Sequence, residues 1–72
     1  MNSQLQKIRV NGEEIPYREQ TVYELLQSIG VDPERQGIAV ALNYEIVGRD
    51  DWKKIRLKPG DVVEIVTAVS GG

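Results

Sequence analysis

Thr21-Val22-Tyr23-Glu24-Leu25-Leu26-Gln27-Ser28-Ile29-Gly30 is the one long stretch of this chain that reads as a helix, and its solitude decides the fold. Thr21 and Glu24 have the spacing of a capping box, in which the hydroxyl accepts from the backbone near Glu24 while the Glu24 side chain reaches back. Val22, Leu25, Leu26 and Ile29 fall at i, i+3, i+4 and i+7, which gathers them into one stripe, and Gly30 supplies a left-handed stop. A chain of 72 residues has room for a single modest core. The stripe is expected to face that core rather than a partner.

The flanking segments alternate with the two-residue period of strands. From Leu5 to Val10, Ile8 and Val10 share one face and Lys7 and Arg9 the other. Asn11-Gly12 then reads as a tight hairpin turn, since both positions tolerate positive φ. The chain returns through Ile15-Pro16-Tyr17, and Pro16 confines that return to a sheet edge or a strand end. After a polar connection from Val31 to Gly37, the run Ile38-Ala39-Val40-Ala41-Leu42 puts Ile38, Val40 and Leu42 on one face. The two alanines leave the other face low, which suits close docking of another surface and equally suits ordinary strand variation.

Asn43-Tyr44 turns the chain into Glu45-Ile46-Val47. Arg49-Asp50-Asp51-Trp52 reads as a short helical turn with Asp50 as its N-cap, and Trp52 as a half-buried lid whose indole N–H needs a partner. The adjacent carboxylates Asp50 and Asp51 are read as solvated capping groups, because neighbours in sequence seldom converge on one ligand. Lys58-Pro59-Gly60-Asp61 suits a type II turn with positive φ at the glycine. Val62 to Thr67 closes the series, with Val63 and Ile65 on one side and Val62, Glu64 and Val66 on the other.

The order strand, strand, helix, strand, strand, turn, strand predicts an α+β protein, a mixed sheet of four to five strands with one main helix packed across it. That order permits the ubiquitin-like β-grasp arrangement, in which the first and last strands pair in parallel at the centre. Residues 1–67 would form the domain and residues 68–72 a flexible C-terminal tail.

Composition narrows the chemistry. There are no cysteines and no histidines, so a thiol nucleophile, a disulfide framework, a thiolate metal cluster and the commonest general base are all missing. Intrinsic catalysis is not expected, and neither a bound metal nor a bound cofactor. With a net charge of -2 and basic residues scattered along the chain, nucleic-acid binding is disfavoured. No apolar run approaches the roughly twenty residues that span a bilayer, and Met1-Asn2-Ser3-Gln4 is polar where a signal peptide would be basic and then apolar. These features predict a soluble, cytoplasmic protein without membrane contact.

The end of the chain carries the candidate working group. Val69 and Ser70 lead into Gly71-Gly72, and glycines lacking Cβ let a backbone pass a channel too narrow for side chains. An α-carboxyl with a reference pKa of about 3.3–3.7 is an anion at neutral pH and resists nucleophilic attack. It becomes an acyl donor once activated, most simply as an acyl adenylate made by another enzyme that supplies ATP, metal and charge stabilisation. Val62, Val66 and Val69, on the outward side of the last strand and tail, are candidates for docking that enzyme.

Taken together, Val10-Asn11-Gly12-Glu13, Thr21-Val22 with Leu25-Leu26, Ile38 to Asn43, Glu45-Ile46-Val47, Trp52, Gly60-Asp61, Val63 to Val66 and the closing Gly71-Gly72 give a pattern that resembles the thiamine-biosynthesis sulfur-carrier (ThiS) family of ubiquitin-like proteins. The resemblance covers nearly the whole chain and implies the β-grasp fold. It further implies that an adenylating, E1-like enzyme uses ATP and Mg to convert the Gly72 carboxylate into an acyl adenylate. Sulfur from a cysteine desulfurase or a sulfur relay would then replace AMP, leaving a thiocarboxylate for thiazole synthase, with Gly71 and Ser70 entering the partner active sites. Ser70 stands where such proteins often have a further glycine, and Gly48 where a proline is frequent. Alternatives that share the adenylate are a sulfur carrier for molybdopterin or another product and a ubiquitin-like protein modifier; an interaction domain with an inert tail is a further one.

Overall fold

The computed structural model describes residues 6–68. The elements are β1 (Lys7–Val10), β2 (Glu13–Pro16), α1 (Val22–Ser28), β3 (Ile38–Leu42), β4 (Glu45–Val47), a 3-10 turn (Arg49–Asp51) and β5 (Val62–Thr67). The five strands form one sheet in the order β2-β1-β5-β3-β4. β5 pairs in parallel with β1 and antiparallel with β3, and the two hairpins β1-β2 and β3-β4 are antiparallel. This is the β-grasp that the element order permitted and the family resemblance implied, with the last strand at the centre.

Local chemistry sets each turn. Asn11 and Gly12 have φ of 50° and 86°, the pair of left-handed residues that a two-residue hairpin loop requires. Asn43 and Tyr44 repeat the arrangement at 51° and 71°. Pro16 lies on the edge strand β2, opposite Lys7, where a missing N–H costs no internal ladder bond.

Helix α1 is terminated at both ends by identifiable groups. The Thr21 hydroxyl accepts from the Glu24 amide at 3.2 Å and the Glu24 carboxylate accepts from the Thr21 amide at 2.8 Å. The remaining amides of the first turn, those of Val22 and Tyr23, donate to the carbonyls of Ile55 and Trp52, both at 3.0 Å. At the other end Val31 donates to Leu26 at 2.9 Å and Gly30 to Gln27 at 3.2 Å, the paired bonds of a Schellman motif, with Gly30 at φ 85°.

The core lies between α1 and one face of the sheet: Val22, Leu25 and Leu26 from the helix, Ile8, Val40, Val47, Val63 and Ile65 from the strands, with Trp52 and Leu57 from the connection before β5. Three expectations need correction. Ile29 is 39% exposed, because it is the C-cap residue, where the backbone has left the helical path. Asp50 is not the N-cap of the turn at 49–51; Gly48 is, with no side-chain cap bond. Trp52 is no half-buried lid but is 1% exposed, and its indole N–H is satisfied within the core by the Val47 carbonyl at 3.2 Å.

Candidate functional site

β5 leads towards the end of the chain, and it is held on both flanks. On the β1 side, backbone pairing stops where the chain turns back at Asn11. The Asn11 side chain takes over: its Oδ1 accepts from the Ile65 amide at 2.7 Å and its Nδ2 donates to the Ile65 carbonyl at 3.2 Å. On the β3 side the ladder runs from Leu42↔Val63 to Ile38↔Thr67, and one bond further on Ala68 donates to the Gly37 carbonyl at 2.7 Å. Gly37 sits at φ 83°, and a Cβ built there would lie 3.3 Å from the Ala68 Cβ, so the close approach at this crossing uses the absence of a side chain.

Val69, Ser70, Gly71 and Gly72, four of the residues singled out from the sequence, lie outside the described residues. Val62 and Val66 both point away from the helix, as alternation required, but they do not share one patch. Val62 is half-buried in a depression with Arg9, Glu14 and Gly60, and Arg9 is in register with it and 3.7 Å from Glu14. Val66 is 64% exposed and lines a shallow, mostly apolar depression of ≈ 360 Å³ with Asn11, Ala39, Ala41, Ile46 and Glu64.

Ile46 is the residue that the sequence reading missed. It is 78% exposed opposite Ala41 in the β3-β4 hairpin. The signal was present, since an inward Val47 next to it forces Ile46 outward. The alanines at 39 and 41 make the floor of this depression and the branched side chains of Ile46 and Val66 its walls.

A second, polar cluster lies on the helix side of the sheet, where Tyr23, Pro33, Glu34, Arg49, Asp50 and Lys53 line a cleft. The Tyr23 hydroxyl donates to Glu34 at 2.6 Å, and Lys53 sits over the Tyr23 ring at 4.7 Å. That hydrogen bond, then desolvation and the charges of Glu34 and Asp32, raise the Tyr23 pKa above 10.0. Arg49 donates to the carbonyls of Pro33 and Arg35 while its guanidinium stacks on Trp52 at 4.6 Å. Among the described residues no three acidic side chains converge as a metal site would require. No described helix is long and apolar enough to cross a membrane.

A mixed sheet grasping one helix, with the central strand directed at a Gly-Gly end, defines a ubiquitin-like β-grasp protein. The ThiS family model matches residues 2–72, and the chain belongs to the ThiS family. Sulfur carrier protein ThiS of Thermus thermophilus is 40% identical over 63 residues, 88% of this chain and 95% of that one. The crystal structure of a thiamine biosynthesis protein (ThiS) from Geobacter metallireducens superposes with a TM-score of 0.74 at 29% identity, covering 92% of this chain and 99% of that one. A thiazole synthase of Paramagnetospirillum magneticum is 37% identical over 67 residues, which are 92% of this chain and 20% of the larger protein. The chain is thus a sulfur carrier of thiamine biosynthesis.

Proposed function

We propose that the Gly72 carboxylate is the group that carries sulfur, and that the described domain exists to present it. An adenylating, E1-like enzyme using ATP and Mg lets the carboxylate oxygen attack the α-phosphorus, and pyrophosphate leaves. The terminal sulfur of a persulfide, supplied through a cysteine desulfurase or a relay, then displaces AMP to form an acyl disulfide. A thiol reductant cleaves its S–S bond, leaving the thiocarboxylate and an oxidised disulfide. Thiazole synthase is the acceptor. The observation that carries this reading is the position of β5: the central strand, clamped by Asn11 on one flank and by β3 and Gly37 on the other, is the element that hands the chain to Gly71-Gly72. From Ala68 onward the remaining residues reach roughly 15 Å when extended, enough to enter a buried nucleotide site.

The thiazole synthase relative supports the choice of acceptor. One fifth of that protein is similar to almost all of this chain, so a carrier-like segment and the named enzyme share one polypeptide, an arrangement that raises the effective concentration of one for the other. For docking, the outward face around Val66, extended to Ile46, Ala39 and Ala41, fits an apolar partner surface, with Val62 on the same side of β5 in a separate depression; Val69, outside the described residues, is proposed to add to it. Gly71 and Ser70 would occupy the channel leading to the reacting centre.

Intact-mass analysis tests the reading. The full chain is incubated with a ThiS-adenylating enzyme of verified activity, ATP, Mg and a sulfur donor. The expected result is an oxygen-for-sulfur mass change that fragmentation places at Gly72. An unchanged mass, with the enzyme active on its own carrier in the same buffer, overturns it.

A further inference from the structure

The connection from Val31 to Gly37 carries no regular structure, yet it is fastened at successive points. Val31 is tied to Leu26 through the Schellman bond, Pro33 is buried, Glu34 accepts from Tyr23, and Arg35 donates its amide to Asp32 at 3.0 Å. A further hold comes from Arg49, whose guanidinium bridges the carbonyls of Pro33 and Arg35. A planar guanidinium can hold two acceptors at once in a fixed geometry, and stacking on the buried Trp52 fixes its plane. Only Gln36 separates the second of these carbonyls from Gly37, and the Gly37 carbonyl receives the amide of Ala68. A path of direct contacts therefore runs from Trp52 through Arg49 and the connection to the root of the tail.

We propose that Arg49 is a positioning residue for the tail: by clamping Pro33 and Arg35 it fixes Gly37, and through Gly37 the direction in which the chain leaves Ala68. The functional half of this statement rests on the carrier reading above; the structural half rests on geometry alone. Four residues follow Ala68, a lever of about 13 Å when extended in a partner's channel. A tilt of about 10° at its root would move the far end by roughly 2 Å, and errors of about 1 Å at a reacting centre can cost on the order of a hundredfold in rate. Arg49 lies on the helix side of the sheet and the apolar depression around Val66 on the other, so the clamp acts on alignment and leaves docking intact.

The test compares the full chain with Arg49→Ala, Arg49→Lys and Gly37→Ala. Amide exchange by NMR is expected to quicken about tenfold at Ala68 in Arg49→Ala, as loss of one well-held hydrogen bond implies, while Val40 and Ile65 exchange at wild-type rates. With the adenylating enzyme, kcat is expected to fall on the order of a hundredfold at unchanged KM for the carrier. Arg49→Lys restores part of kcat, since an ammonium is a point charge without the two-pronged fork. Gly37→Ala, which crowds Ala68 directly, reproduces the kcat loss with Arg49 in place. Unchanged exchange at Ala68 overturns the proposal, as do an unchanged kcat, a loss confined to KM, or exchange rising equally at Val40 and Ile65, which would make Arg49 a stability residue only. If the wild-type chain is not adenylated at all, the carrier reading fails, and the exchange comparison by itself decides whether Arg49 anchors Ala68.

Discussion

Asn11 performs two tasks with one side chain. Its backbone adopts the left-handed conformation of the hairpin turn, and its carboxamide closes the ladder on Ile65, 54 residues away. Asn11→Ala removes both bonds and places a Cβ residue without local compensation at positive φ, so a loss of about 2–3 kcal/mol is expected in urea denaturation. The turn was legible from Asn-Gly alone; the grip on Ile65 was not, because it depends on how far β1 runs before β5 outlasts it. Trp52 shows the same limit, its depth being set by packing against elements distant in sequence. Tyr23 allows a pH prediction. The neutral phenol donates to Glu34, which raises its folded-state pKa above 10.0, so the contribution is complete below the unfolded value and is lost as pH rises through the folded one. Spectrophotometric titration of the three tyrosines should contain a late component that disappears in Tyr23→Phe, and the stability difference between the two proteins should vanish only at strongly alkaline pH. A component unchanged by the substitution would refute the Tyr23–Glu34 contact.

At the scale of elements, hydrophobic period carried most of the information. Alternation placed Val63 and Ile65 inward and Val66 outward, and the capping box placed the helix start at the residue observed. The period does not say where a helix loses its last turn, which is why Ile29 was assigned to the stripe although the Schellman motif turns it out of the core. The difference is measurable. Leu25 is fully buried, so Leu25→Ala should cost about 2–5 kcal/mol, whereas Ile29→Ala should cost well under about 1 kcal/mol. Equal losses in chemical denaturation would show that Ile29 packs as the stripe implied. The 3-10 turn at 49–51 was anticipated, but its cap was not: a side-chain cap needs the residue before the first turn, and that position is Gly48.

Across the whole molecule, stability and function are carried by different parts. Among the described residues, every core residue lies between Ile8 and Ile65, on the helix side of the sheet, whereas the apolar depression at Val66 and Ile46 is on the far side and the proposed reactive carboxylate lies beyond the described domain. The sequence announced the tail through Gly71-Gly72 and the smooth face through Ala39 and Ala41. The patch required tertiary registration, because Ile46 and Val66 meet only through β3, which pairs with both β4 and β5. Removing Gly72 should therefore leave the denaturation midpoint unchanged and abolish thiocarboxylate formation. Val66→Asp and Ile46→Asp put a charge on exposed positions and should keep the fold within about 0.5 kcal/mol of wild type. They should nevertheless raise the carrier KM in adenylation by an order of magnitude or more, since a carboxylate desolvated without a partner at an interface is costly. The same charge at Glu64, already present between them in sequence, sets the control: Glu64→Gln should leave KM nearly as it was if apolar contact, and not net charge, holds the partner. A KM that follows charge equally at all these positions would move the docking surface from the apolar depression to a long-range electrostatic field.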